Sequence, residues 1–200
     1  MYAEPLIALL TFVASLGFVY GHRLLPSHLG RAAAVVDQFV DQSQNGIPRE
    51  KIRQADCIVV IPQFGKAPSR DYSAFGRGYI SCQNGNHWSA PAAVTLQTSS
   101  SDFAIDSKKL ELVALSMNSG NRRKLLSGPE NQDSELLIFS RTKGPFAKMS
   151  LGEVTLRPDG SANRSLYGKE TPPYSNILNG SVDTPKVARV FVDKLTATLN

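Results

Sequence analysis

The chain has few of the side chains from which active sites are built. Histidine occurs three times in 200 residues: His22 and His28 flank the end of an apolar N-terminal stretch, and His87 sits beside Trp88 near a turn signal. There is no Gly-x-Ser-x-Gly elbow, no His-Glu-x-x-His helix and no Cys-x-x-Cys pair. Hydrolase and zinc chemistry therefore lack their usual geometry. Gly76-Arg77-Gly78 is not a dinucleotide fingerprint, because the third glycine is missing and a strand pattern follows where a helix would have to begin. Basic residues never run longer than Arg122-Arg123-Lys124, and no nucleic-acid motif accompanies them, which argues against DNA or RNA as a partner. The expectation is a protein that is not an enzyme and holds no metal or cofactor.

Long apolar runs are also missing. Leu6 to Tyr20 is uncharged and almost wholly apolar, but falls short of the roughly 17–25 residues that a membrane span needs. It fits the apolar region of a secretory signal, with Val19-Tyr20-Gly21 as the small-residue cleavage point, although Glu4 replaces the usual basic flank. A buried core helix is the other reading of the same segment. Export would leave residues 1–21 as a leader and place the mature chain in the periplasm or at a membrane surface.

What is present suits one folded domain. Hydrophobic residues make up 42% of the chain, enough at this length for a sizeable core. The net charge of +5 favours anionic partners in the long-range field, and serves solubility as well.

The hydropathy pattern reads as α+β, mainly an antiparallel sheet with amphipathic helices at both ends. Leu29 to Gln44 has a helical stripe (Leu29, Ala32, Ala33, Val36, Phe39, Val40), with Ser27 as N-cap and Asn45-Gly46 as stop. Its polar face carries Arg31, Asp37, Gln38, Asp41 and Gln42 and is not Lys/Arg-rich, so core packing is expected of it. Pro48 to Ile52 suggests a short turn or helix. Cys57–Ile61 is a strand buried on both faces. Gly78–Cys82 and Trp88–Leu96 form a hairpin around Asn84-Gly85, and Trp88 is read as core. Leu110–Met117 is a strand, followed by a short helix through Leu126. Asp133 or Ser134 caps a helix over Glu135–Lys143, ended by Gly144-Pro145. Met149, Leu151, Val154 and Leu156 make one strand with a bulge at Gly152, and Pro158-Asp159-Gly160 is its turn. Thr184 and Pro185 open a last helix whose apolar face is Val187, Val190, Phe191 and Leu195.

The two cysteines, Cys57 and Cys82, fall on neighbouring strands of this pattern. A hairpin centred on Ser69-Arg70 would set them opposite each other, with Cβ atoms about 4.5–5.5 Å apart. A disulfide then requires a non-hydrogen-bonded pair with local twist, since its usual Cβ spacing is near 3.8 Å. Two buried free thiols are the alternative.

Two blocks resemble the SYLF family. One is Ala55-Asp56-Cys57-Ile58-Val59-Val60-Ile61-Pro62, Gly76-Arg77-Gly78-Tyr79-Ile80-Ser81-Cys82 and Asn84-Gly85-Asn86-His87-Trp88-Ser89-Ala90-Pro91-Ala92. The other runs from Ser140-Arg141-Thr142-Lys143-Gly144-Pro145-Phe146-Ala147 to Asn163-Arg164-Ser165-Leu166-Tyr167-Gly168-Lys169. The chain departs from the family where Thr98–Asp102 stands for a Gly-rich run, and where Ser127–Asp133 replaces a longer small-residue segment. The two blocks span most of the chain after Gly46; the resemblance implies a SYLF-like domain over residues 22–200 and a lipid-binding module, with anionic phospholipid at a membrane surface as partner. In SYLF proteins the N-terminal amphipathic region is implicated in phosphoinositide contact. Eukaryotic members associate with actin assembly, a partner that an exported chain would not meet. A structural or protein-interaction domain is the alternative. Arg77, Arg141, Lys143 and Lys148 are the candidate headgroup ligands, each near a glycine that lets backbone approach a phosphate. Cations at a helix end would account for Arg141 and Lys143 without any ligand.

Overall fold

The computed structural model describes residues 24–40, 46–67, 73–99, 110–127, 136–141, 147–149 and 154–199. They form a single α+β domain around one antiparallel sheet. Its strands are β1 (Cys57–Lys66), β2 (Ala74–Asn84), β3 (His87–Trp88), β4 (Ala92–Thr98), β5 (Leu110–Ser116), β6 (Leu136–Arg141), β7 (Ala147–Met149) and β8 (Val154–Pro158). They run in the order β7-β6-β5-β1-β2-β4-β8, with the short β3 paired to the end of β2. The helices are α1 (Leu24–Val40), α2 (Arg49–Gln54), α3 (Ser119–Ser127), α4 (Gly160–Tyr167), α5 (Tyr174–Leu178) and α6 (Arg189–Ala197). Among the described residues no helix is long and apolar enough to cross a membrane.

Connectivity dictates the shape of the sheet. β7 and β8 stand at its two edges, six strand spacings or about 29 Å apart if the sheet were flat. Only residues 150–153 join them, a link that reaches at most about 18 Å. The sheet must therefore curl, and the side chains of its inner face bury one another together with Leu125 of α3 and Ile177 and Leu178 of α5. Val59, Ile61, Phe64, Ile80, Val94, Leu96 and Leu112 are completely buried on that face. Small residues (Ala74, Cys82, Ala92, Ala114) fill the narrower parts. A bulge in β1 between Val60 and Gln63, opposite Gly76 and Gly78 of β2, supplies the local bend. A Cβ at Gly78 would lie against the Val60 carbonyl oxygen, so the strands approach there only because the residue is glycine.

The outer face carries Ile58, Val60, Tyr79, Ala93, Val113 and Leu115, and α1 and α6 cover it. Leu29, Ala32, Val36 and Phe39 of α1 meet Phe191 and Leu195 of α6 over this face. Trp88 is buried, and its Nε1–H donates to the Leu195 carbonyl at 3.1 Å, satisfying an acceptor in the last turn of α6. Tyr79 and Phe191 pack ring to ring at 6.0 Å.

Several expectations are corrected. The first helix starts at Leu24, so Ser27 lies inside it. Residues 41–45, with the proposed stop at Asn45, lie outside the described residues. The Asn84-Gly85 hairpin forms, but Asn84 pairs with His87, so its loop is Gly85-Asn86, with Gly85 at φ 65°. Trp88–Leu96 is two strands, broken at Ser89-Ala90-Pro91. Of the helix expected over Glu135–Lys143, the described part, Leu136–Arg141, is instead strand β6, because β5 offers it a ladder from Ser116↔Leu136 to Glu111↔Arg141. Met149 and Val154 belong to different strands on opposite sheet edges. Asp159-Gly160 opens α4 and is not a simple turn. Thr184-Pro185 leads into a 3-10 turn (Lys186–Ala188) that makes no side-chain cap bond, and Val190 is exposed.

Candidate functional site

Pairing places three of the four expected cations on one sheet face. Arg77 of β2 is opposite Gln63 of β1 and Thr95 of β4, and Thr95 is opposite Arg157 of β8. On the other side, Arg141 of β6 is opposite Glu111 of β5, which lies level with the β1 bulge. Residues paired directly across an antiparallel sheet share a face, so a polar row crosses six strands on the outer face. Arg77 and Arg141 are three strand spacings apart along it, about 14 Å. Lys148 pairs with Phe139 one strand farther, on β7. Arg141 lies in a strand, so no helix dipole accounts for its position. Lys143 falls outside the described residues.

The structure builds a cationic cluster around Arg77. Its side chain is 66% exposed, and its Nε meets Asp159 Oδ2 at 3.3 Å. Its guanidinium also stands 5.8 Å from the centre of the Phe75 ring. Because the carboxylate is met through Nε, the two Nη groups remain for another acceptor. Arg157, two strands away on the same row, is exposed. The N-terminal part of α1 adds His28 and Arg31, both exposed. The His28 imidazole is held below its ordinary pKa by burial first, then by the charges of Arg31 and Arg77, so the three groups are close enough to feel one another.

Asp159 is the carboxylate of this cluster. Its side chain accepts from the Ala162 N–H at 3.0 Å and from the Ser161 hydroxyl at 2.7 Å, which caps α4. Burial opposes its charged form, but the Ser161 hydroxyl, the Ala162 N–H, Arg77 and the Ser161 N–H outweigh burial and hold its pKa below the ordinary value. The charge of Asp159 also adds to burial in pushing the Tyr79 hydroxyl up to about 12.

The most specific motifs grip each other. Asn163 Oδ1 accepts the Ala93 N–H at 2.7 Å and Asn163 Nδ2 donates to the Ala93 carbonyl at 2.8 Å, so this side chain acts as a strand partner beyond the end of β8. The Tyr167 hydroxyl donates to the Pro91 carbonyl at 2.7 Å, and Gly168 ends α4 at φ 91°. Ser89 Oγ accepts the Cys82 N–H at 3.0 Å, and the Ser89 N–H returns to the Cys82 carbonyl. Cys82 thus spends its backbone groups on Ser89. It stands opposite Cys57 at a non-hydrogen-bonded position, and the two are joined by a disulfide.

Sequence reasoning overlooked Arg157 and Asp159 and treated Arg31 only as a polar-face residue. The available signal was Asp159 followed by the amphipathic stretch from Gly160 to Tyr167, which reads as a capped helix.

The family model described as "Ysc84: Las17-binding protein actin regulator" matches residues 54–198. An SH3 domain-containing protein of Schizosaccharomyces pombe is 26% identical over 215 residues, covering 90% of this chain and 49% of the relative. The chain thus spans about half the length of that relative. No solved structure matches the chain significantly.

Proposed function

The chain belongs to the Ysc84 family, whose domain is the SYLF domain, and from that premise we propose that it binds anionic phospholipid headgroups at a membrane surface without catalytic turnover. One observation carries the reading: Arg31, Arg77 and Arg157 are exposed on one side of the sheet, and among the described residues Asp159 is the one carboxylate ion-paired to them. Guanidinium forks suit phosphate oxygens, and each basic residue near a charged bilayer contributes about 1 kcal/mol. Arg141 and Lys148, on the same face by register, extend the cationic side.

Co-sedimentation with phosphatidylcholine vesicles, with and without phosphatidylserine, tests this. Binding is expected only with phosphatidylserine and should fade as salt rises, because screening acts over about 8 Å at physiological ionic strength. Exchange of Arg31, Arg77 and Arg157 for Gln should weaken it by roughly 2–3 kcal/mol. Equal binding to both vesicle types overturns the reading. It would favour a protein-interaction domain, which the family description as Las17-binding actin regulators supports. We further propose that the Leu6–Tyr20 segment directs export. An intact Met1 terminus on natively produced protein would refute that, and would remove the reason for setting actin aside.

A further inference from the structure

Helix α1 connects the Arg77 cluster to a second set of cations at the other end of the sheet. From His28 it runs on to Val40, about 18 Å at 1.5 Å per residue, and the Phe39 carbonyl near its end accepts the Ile47 N–H at 2.8 Å. That bond starts the chain into α2, where Arg49, Lys51 and Arg53 are exposed. α3 supplies Arg122, Arg123 and Lys124 at the same end, since β5, which precedes it, finishes beside the start of β1 (Cys57↔Ser116).

The β2–β3 turn locks the two helices together. Gln83 Nε2 donates to the Ile52 carbonyl at 3.0 Å and the Arg53 carbonyl at 3.2 Å. The Arg122 guanidinium donates to the Gln83 carbonyl and to Asn84 Oδ1. Helices α2 and α3, which carry six cations against the acidic side chains Glu50 and Asp56 of the same segments, are thereby held beside the β2–β3 turn with its exposed tip Gly85-Asn86-His87. Among the described residues, no carboxylate is ion-paired to Arg49, Lys51, Arg53 or Arg123; the pairs made are Arg77–Asp159 and Lys194–Asp37.

We propose that this end is a second contact for an anionic membrane, so that the domain bridges two bilayers; this rests on the reading of the Arg77 cluster given above. From Arg77 to Asn84 is seven residues along β2, about 23 Å. That exceeds the screening length of about 8 Å, so the two ends attract independently. The composition of the surface favours a bilayer over a protein partner. Protein interfaces draw their energy from buried aromatic or aliphatic anchors, whereas Val190 of α6 is the sole large hydrophobic exposed among the described residues. A charged bilayer needs basic residues alone.

Light scattering and co-sedimentation, read together on phosphatidylcholine–phosphatidylserine vesicles, test the proposal. The wild-type chain should pellet with the vesicles and cluster them. Exchange of Arg49, Lys51, Arg53 and Arg123 for Gln should leave vesicle binding in place and lower the scattering rise by about tenfold or more. Arg122 is kept because it holds the turn. Exchange of Arg31, Arg77 and Arg157 for Gln should also lower the scattering rise by about tenfold or more, here together with the weakened co-sedimentation proposed above. Binding by the wild type without clustering overturns the bridge and leaves the one-sided reading standing. A variant at either end that still clusters vesicles fully also overturns it, as does loss of vesicle binding when Arg49, Lys51, Arg53 and Arg123 are exchanged. No binding to phosphatidylserine vesicles at all sinks both readings.

Discussion

Asn163→Ala is the sharpest probe of how this domain holds together. Asn163 is buried, and its side-chain amide makes both backbone bonds of Ala93. Truncation leaves the Ala93 N–H without its acceptor in a site closed to water, a penalty of about 1–3 kcal/mol. The Ala93 carbonyl keeps the Asp159 N–H at 2.9 Å, so only the ordinary net worth of one hydrogen bond is lost there, about 0.5–1.5 kcal/mol. The expected loss is about 2–4 kcal/mol, or roughly 6–12 °C in melting temperature at about 3 °C per kcal/mol for a chain of this size. Calorimetry or circular dichroism on the purified variant measures it. Below its melting point, the variant should bind vesicles as the wild type does, because nothing of the Arg77 cluster has been removed. A melting temperature within about 1 °C of wild type would refute the clamp. Lost vesicle binding in a variant of unchanged stability would show that the motif serves a ligand after all.

Three further outcomes are expected. Phe191→Ala should destabilise by about 3–5 kcal/mol, since the ring is fully buried against Tyr79 between α1 and the sheet; an unchanged urea midpoint would contradict this. Replacing Cys57 and Cys82 together by Ala opens a link between residues 25 apart and should cost about 3.5 kcal/mol on the chain-entropy model, read from equilibrium unfolding with and without reductant. The imidazole of His28 is depressed in the folded chain. Its contribution to stability is therefore complete above the unfolded value near 6.5 and falls away as pH drops through the lower folded value. An anion bound beside it should raise the folded pKa by offsetting Arg31 and Arg77, which proton NMR titration with and without inorganic phosphate would show.

Local chemistry made the middle of the sheet readable. The β-branched run at Cys57–Ile61, the hairpin signal at Asn84-Gly85 and the alternation near Leu110 each declare a strand without help from the rest of the chain. Leu136-Leu137-Ile138-Phe139 carries no such signal. A short apolar run fits helix and strand equally, and the ladder to β5 that decides it is non-local. The residues from Met149 to Leu156 failed for a related reason: both halves are strand-like, and only tertiary pairing sends them to opposite edges. At the candidate site, Arg77 was legible from its glycine neighbours. Its companions Arg31 and Arg157 were not, because an α1 turn and a β8 register bring them close, and neither is written in adjacent residues.

The curled sheet also orders its own assembly. β1, β2 and β4 pair with near neighbours in the chain, as do β5, β6 and β7. Each set can form as a local meander with little loop entropy to overcome. β8 has no such neighbour: it must find β4 some 60 residues upstream, matching Thr95 to Arg157. That pairing and the β1–β5 seam, with Cys57 opposite Ser116, are the two that must join across long stretches of chain, and β8 brings α4 with it. The grip of Asn163 on Ala93 then acts as a latch on that distant pairing, holding α4 to β4 just beyond the last rung that β8 supplies.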